Sequence, residues 1–212
     1  MQVVPGRYDA TTGLVTFTTT HFSKYVVGSN KISFSDVSAS DWYADAVSFI
    51  AARQITIGTT ADTFTPNGTL TRGQFIVMLM RAYGIEPGTD TADNFSDAGD
   101  VYYTAYLAKA RQLGITNGVG NNRFAPDQAI TRQDMFTLLY RALDTLGSLP
   151  KGSESVTISD YADSAAVSDY AEEAVGCFLK AGVITGAAGH LNPEDTTTRA
   201  EMAQVLYKLL SV

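Results

Sequence analysis

The sequence predicts a mainly α protein made of three helix–loop–helix units in tandem, preceded by a short N-terminal β segment. Three observations predict it. Thr-Arg opening a helix-like apolar run occurs at Thr71-Arg72, Thr131-Arg132 and Thr198-Arg199. Each arginine stands six residues after a proline: Pro66, Pro126 and Pro193. An aspartate close to an aromatic precedes each arginine by 36, 35 and 36 residues, at Asp36, Asp97 and Asp163. Order and spacing persist over units of about 55 residues while the length differences fall in loops and linkers, which is how repeat architectures look in sequence.

Residues 1–30 read as the β tail of an upstream domain. Arg7 to Gly13 looks like a strand end entering a turn, and Leu14 to Thr20 alternates with β-branched residues, as a strand does. His21 to Val27 can add a second short strand, with His21 on its surface. Unit 1 (31–86) opens with Phe34-Ser35-Asp36 and Trp42-Tyr43, and its first helix carries Ala46, Phe49 and Ile50 on one face. Ile55-Thr56-Ile57-Gly58, Phe64-Thr65-Pro66 and the cap at Thr71 follow. The second helix holds Phe75, Met78, Leu79 and Ala82 and stops at Gly84, a C-terminal cap glycine. Unit 2 (92–147) repeats the order with Phe95-Ser96-Asp97, Tyr102-Tyr103, Gly114 to Gly118, Phe124-Ala125-Pro126 and Met135, Leu138, Leu139 and Ala142. Unit 3 (156–212) is looser: Tyr161-Ala162-Asp163, Tyr170, Gly182 to Gly186, Leu191-Asn192-Pro193 and Met202, Val205, Leu206 and Leu209.

Thr followed three residues later by Gln74 or Glu201 is a capping box, in which two side chains satisfy the N–H groups of a helix start; Asp134 is its shorter version. The arginines need a separate reason, because a cation in the first helical turn faces the positive end of the dipole at a cost of about 0.3–1 kcal/mol. Two readings stand: an anion receptor made of free helix N–H groups and a guanidinium, or a stem that covers apolar surface or pairs with a local carboxylate.

Composition narrows the function. At 212 residues with 45% hydrophobic and 17% charged, the chain has the material for a sizeable core. A net charge of −7 argues against nucleic acid as a partner. The one cysteine, Cys177, lies in an apolar helical run and reads as a buried thiol. His21 and His190 are far apart and no metal-ligand spacing occurs, so neither metal nor cofactor is expected. No apolar run reaches the roughly 18–20 residues that cross a bilayer, so no membrane insertion is expected. Met1 leads into Gln2-Val3-Val4-Pro5-Gly6 with no signal peptide. A role outside the cell therefore implies export as part of a longer precursor with a fused upstream domain.

Phe-x-Asp, an aromatic, Gly-Ile-x-x-Gly, Phe-x-Pro and a Thr-Arg-Ala-Glu-type helix start, threefold and in register over residues 32–212, resemble the S-layer homology family. The resemblance implies a pseudo-threefold prism around a central helical bundle. It implies grooves between repeats that bind an anionic, pyruvylated secondary cell-wall polysaccharide. Such binding anchors a surface or S-layer protein non-covalently to the cell wall, without catalysis. By the same resemblance Arg72, Arg132 and Arg199 contact the anionic sugar, with Asp36, Asp97, Asp163, Gly58, Gly118 and Gly186 beside them. Trp42, Tyr102 and Tyr170 would stack on sugar or serve as core residues; the aspartates would orient ligand or cap the first helices. The chain departs from the pattern at Gln54 (for glycine), at Gln74 and Asp134 (for glutamate) and at Leu191 (for phenylalanine), and only Trp42 keeps the tryptophan. These departures predict unequal grooves, with the third furthest from the pattern.

Two other classes compete. A helical-repeat scaffold for protein partners predicts broad apolar patches instead of arginines at helix starts. A glycan-acting enzyme could draw on Asp45, Asp163, Glu172, Glu173 and Glu201, but nothing in the sequence sets two of them across one pocket. A calcium module of the dockerin type lacks its Asp-x-Asp-x-Asp-Gly loop.

Overall fold

The computed structural model describes residues 4, 6–9, 11–17, 19, 23–26, 28 and 30–211. Strands β1 (Gly6–Asp9) and β2 (Leu14–Phe17) pair antiparallel, Gly6 opposite Phe17. The helices are α1 (Ala44–Ala52), α2 (Arg72–Ala82), α3 (Thr104–Gln112), α4 (Arg132–Thr145), α5 (Asp169–Lys180) and α6 (Arg199–Leu210). Two 3-10 turns, Ile158–Asp160 and Ser164–Ala166, precede α5. The strand expected after residue 20 is not formed at 23–26, and β2 has its partner on the upstream side of the Thr11–Gly13 turn. His21 lies outside the described residues.

The second helix of each repeat begins where capping chemistry puts it. Thr71 accepts from the Gln74 N–H while Gln74 reaches back to the Thr71 N–H, and Thr198 and Glu201 do the same for α6. Thr131 accepts from the Asp134 N–H, but the short Asp134 side chain does not return the bond and turns to other partners.

The two helices of a unit do not form its main packing pair. Instead α2 packs on α3, α4 on α5 and α6 on α1, so each second helix leans on the first helix of the next repeat and the last repeat closes on the first. Backbone hydrogen bonds close the same cycle. Leu70 N–H donates to Thr197 C=O (2.9 Å), Thr197 N–H to Ile130 C=O (3.0 Å) and Ile130 N–H to Leu70 C=O (2.9 Å). One apolar cluster runs through all three repeats, with Phe64, Phe75, Phe124 and Phe178 fully buried. Burying each such ring contributes about 1.5–3 kcal/mol.

The helix starts are not open. Arg72 and Gly73 N–H donate to Gln128 and Pro126 C=O (2.9 and 2.8 Å), Arg132 and Gln133 N–H to Asp195 and Pro193 (2.9 and 3.0 Å), and Arg199 and Ala200 N–H to Gly68 and Pro66 (3.0 and 2.9 Å). With the third N–H on the capping threonine and the Thr71 and Thr198 N–H groups on Gln74 and Glu201, protein takes the four donors that α2 and α6 leave unpaired and three of those at α4. This corrects one sequence reading: at α2 and α6 no N–H group of the helix start is free for an anion, and the guanidinium is left to meet one.

Candidate functional site

Each motif arginine reaches across to the next repeat. The Nε–H of Arg72 donates to Phe124 C=O (2.9 Å), that of Arg132 to Leu191 C=O (3.0 Å) and that of Arg199 to Phe64 C=O (2.7 Å). The guanidinium of Arg72 lies 4.8 Å from the Phe124 ring centre and that of Arg199 lies 4.7 Å from the Phe64 ring. The early aspartates grip the same peptides from the other side. Asp36 accepts from the Phe64 and Thr65 N–H (2.8 and 2.7 Å), Asp97 from Phe124 and Ala125 (2.8 and 2.9 Å), and Asp163 from Leu191 and Asn192 (2.8 and 2.7 Å).

Aspartate, Phe-x-Pro and arginine are therefore one device, a clamp on a strained turn. The middle residue of each turn is left-handed, with φ of 58° at Thr65, 58° at Ala125 and 51° at Asn192. For β-branched Thr65 that conformation is a steric outlier held by its surroundings. None of the three aspartates caps a first helix. Partial burial raises their carboxyl pKa values, but the paired backbone N–H bonds outweigh it and hold all three below the usual aspartate range.

The loop glycines have a structural cause of their own. At Gly118 (φ +77°) a Cβ would stand 2.3 Å from Arg123 C=O and 2.5 Å from the Phe95 ring; Gly58 and Gly186 meet Phe34 and Tyr161 in the same way. The aromatics divide by position. Tyr43 and Tyr103 enter the core at 9% exposure, while Trp42, Tyr102 and Tyr170 remain 64%, 60% and 52% exposed. Of the exposed set, Tyr170 lies against α4 with its hydroxyl on Asp134 (2.8 Å).

These pieces come together in grooves to which all three repeats contribute. One is an open cavity of about 370 Å³ lined by Arg72 of the first repeat, Thr116 to Val119, Asp134, Thr137, Leu138 and Arg141 of the second, and Tyr170 of the third. Within it Arg72 pairs with Asp134, which also accepts the Tyr170 hydroxyl (2.8 Å). Burial and that carboxylate push the Tyr170 hydroxyl pKa up to about 12. At the matching place in the second repeat, Arg132 pairs with Glu201 of α6 (3.3 Å). The third groove joins Arg199, α2 and Tyr102. The residue matching Asp134 and Glu201 is now neutral Gln74, and Arg199 has no ion pair among the described residues. Its Nη2 touches only Thr56 Oγ1 (3.4 Å). Arg199 is 5% exposed, and burial lowers its pKa.

Sequence reasoning missed a second cation in each groove: Arg81, Arg141 and Lys208, nine residues after Arg72, Arg132 and Arg199. That spacing, two and a half helical turns, was the available signal. Arg81 donates to the Tyr106 hydroxyl (3.3 Å) and Lys208 to Val183 C=O (3.1 Å), while Arg141 lines the cavity with no ion pair among the described residues. No group of His, Cys, Asp and Glu suited to a metal occurs among the described residues. Cys177 is half-buried, its thiol pKa raised by burial.

The model of the S-layer homology domain matches three times, at residues 33–76, 94–136 and 160–203. The chain belongs to the S-layer homology family. It is 34% identical, over 99% of its length, to an amylopullulanase of Thermoanaerobacterium thermosulfurigenes, of which it covers 11%. It is 33% identical over 86% of its length to an endoglucanase of Bacillus sp. strain KSM-635, covering 19%, and 26% identical over 83% to the S-layer protein sap of Bacillus anthracis, covering 21%. The chain thus spans about a tenth to a fifth of the length of these curated relatives. S-layer homology domains bind cell-wall polymers and anchor surface proteins, which places this chain at the cell surface or cell wall.

Proposed function

We propose that the chain holds a larger surface protein on the cell wall by binding an anionic, pyruvylated secondary cell-wall polysaccharide in its inter-repeat grooves, and that it catalyses nothing itself. The observation that carries the reading is the open cavity where Arg72, Arg141, the Gly118 loop and the exposed ring of Tyr170 converge. A pyruvate ketal carries a carboxylate that a guanidinium holds bidentately. A tyrosine face offers a stacking surface for a pyranose, and threonine and asparagine groups line the wall between them. The assigned ligand residues are Arg72, Arg132 and Arg199 with Trp42, Tyr102 and Tyr170. Asp36, Asp97, Asp163, Gly58, Gly118 and Gly186 hold the loops that shape the grooves. The small match to each longer relative supports reading the chain as an anchoring module, with the β tail belonging to an upstream domain.

The test is co-sedimentation with purified wall sacculi before and after mild acid removal of ketals. The reading expects loss of binding on ketal removal and no release of soluble sugar during incubation. Undiminished binding to ketal-free walls would contradict it.

A further inference from the structure

The three motif arginines share one plan and differ in the residue that meets the guanidinium. In the Arg72 groove the guanidinium already holds a carboxylate, Asp134, and in the Arg132 groove it holds Glu201. The chain itself supplies, at these two places, the group that an acidic sugar would bring. At the Arg199 groove the matching residue is Gln74, whose Oε1 accepts the Thr71 N–H (3.2 Å) to complete the helix cap. Its remaining polar atom is an amide nitrogen, a donor with no acceptor capacity. Gln74 thus cannot serve the guanidinium in the way Asp134 and Glu201 do.

Arg199 is consequently a nearly buried cation held by a carbonyl, a hydroxyl and the face of Phe64, with Nη1 making no hydrogen bond among the described residues. Among the described residues, the buried side-chain polar atoms without partners are Tyr83 Oη and Thr197 Oγ1. Arg199 Nη1 is not one of them and so keeps contact with solvent. The negative charge felt by Arg199 comes from Asp36, whose oxygens are engaged by the Phe64 and Thr65 N–H groups. On the opposite side Tyr102 lies within the fields of both Arg199 and Arg81. Asp127 also reaches Tyr102 with its charge and accepts the Tyr103 hydroxyl (3.3 Å), but among the described residues no carboxylate pairs with Arg199 or Arg81, whereas in the other two grooves one carboxylate pairs with the motif arginine.

We propose that the groove framed by Arg199, Gln74, Arg81 and Tyr102 is the principal site for a carboxylate-bearing sugar, and that Gln74 sets this order among the three grooves. The inference rests on the glycan-binding reading above. It ranks first the groove of Arg199, the arginine of the repeat that departs furthest from the family pattern. A sugar carboxylate entering here completes an arginine that lacks a partner. In the other two grooves it must first displace Asp134 or Glu201, so binding there exchanges one ion pair for another and gains little.

The experiment is calorimetric titration of a methyl hexopyranoside carrying a pyruvate ketal, and of its methyl ester, against the wild-type chain, Gln74→Glu and Asp134→Asn. Glu at 74 reproduces the cap already formed by Thr198 and Glu201, so this variant keeps the fold and melts at the same temperature or higher. The expected result is tight-site binding of the acid by wild type, loss of about tenfold or more in affinity in Gln74→Glu, and little binding of the ester. Asp134→Asn adds a second tight site. Acid binding by wild type with unchanged affinity in Gln74→Glu overturns this inference and leaves the wall-anchoring reading intact. No acid binding by wild type overturns both.

Discussion

The Arg72 and Arg199 grooves were built from the same parts and ended with different electrostatics. Both arginines stand at the first position of a second helix, both hold a Phe-x-Pro carbonyl of the next repeat, and both lie against a phenylalanine ring. Arg72 finds Asp134; Arg199 finds Gln74 in the matching place and stays without an ion pair among the described residues. The lesson is that the motif arginine has two separable tasks. Its Nε side is a structural staple common to every repeat, and its Nη side is a charge whose availability one neighbouring residue decides.

The largest effect that tests this division is on stability. Arg72→Met removes the staple and leaves Asp134, with its side chain 28% exposed, without its cation, at an expected cost of about 2–3 kcal/mol after allowing for that exposure. Arg199→Met loses the staple but also relieves an unpaired buried cation, and the expected cost is about 1 kcal/mol or less. Urea unfolding of the two variants measures the difference, and equal costs would break the comparison.

Next come the aspartates, which should behave alike in both regions because the clamp is shared. Asp97→Asn and Asp36→Asn each replace one accepting oxygen by a donor, with an expected loss of about 1–2 kcal/mol at neutral pH. Their carboxyl pKa values are lowered in the folded chain. The stability they contribute is therefore fully present above the ordinary aspartate pKa, near 3.9, and is lost as pH falls through their lower folded values. Unfolding midpoints followed from neutral pH into acid should converge for wild type and variants below that range. A gap that persists in acid would contradict the clamp.

Two smaller effects concern places where one repeat departs from the others. Thr197 occupies the ring position held by Leu70 and Ile130, and its buried hydroxyl has no partner. Thr197→Val should stabilise by about 1 kcal/mol in thermal or urea unfolding. Gln54 sits left-handed (φ 58°) where Gly114 and Gly182 end the corresponding helices, and Gln54→Gly should gain about 0.5–1 kcal/mol in the same assay.

Much of this was legible before any coordinates. The capping threonines, the three repeats and the helix-ending glycine at Gly84 follow from local chemistry, and local chemistry is written in adjacent residues. What was not legible is long-range. Asp36 and Arg199 hold the same peptide from opposite sides, although 163 residues of sequence separate them. Nothing in either neighbourhood announces that. The swap of helix partners, α2 with α3 and α6 with α1, is invisible for the same reason, since each helix shows an apolar face but not what it faces. Reading the helix starts as open to an anion failed because the occupants of their N–H groups, such as Gln128 and Pro126 for α2, belong to another repeat. The exposed places of Trp42 and Tyr102 likewise depended on Tyr43 and Tyr103 taking the core positions next door, and beside Tyr170 it is Ala171 that is buried.

The most direct measurement is nitrogen-15 NMR of the arginine side chains during titration with the pyruvate-ketal glycoside. The Arg199 guanidinium signals should move first and saturate at the lowest ligand concentration, with Arg72 and Arg132 following only at higher concentration. Arg72 or Arg132 moving first, or all three moving together, would contradict the account.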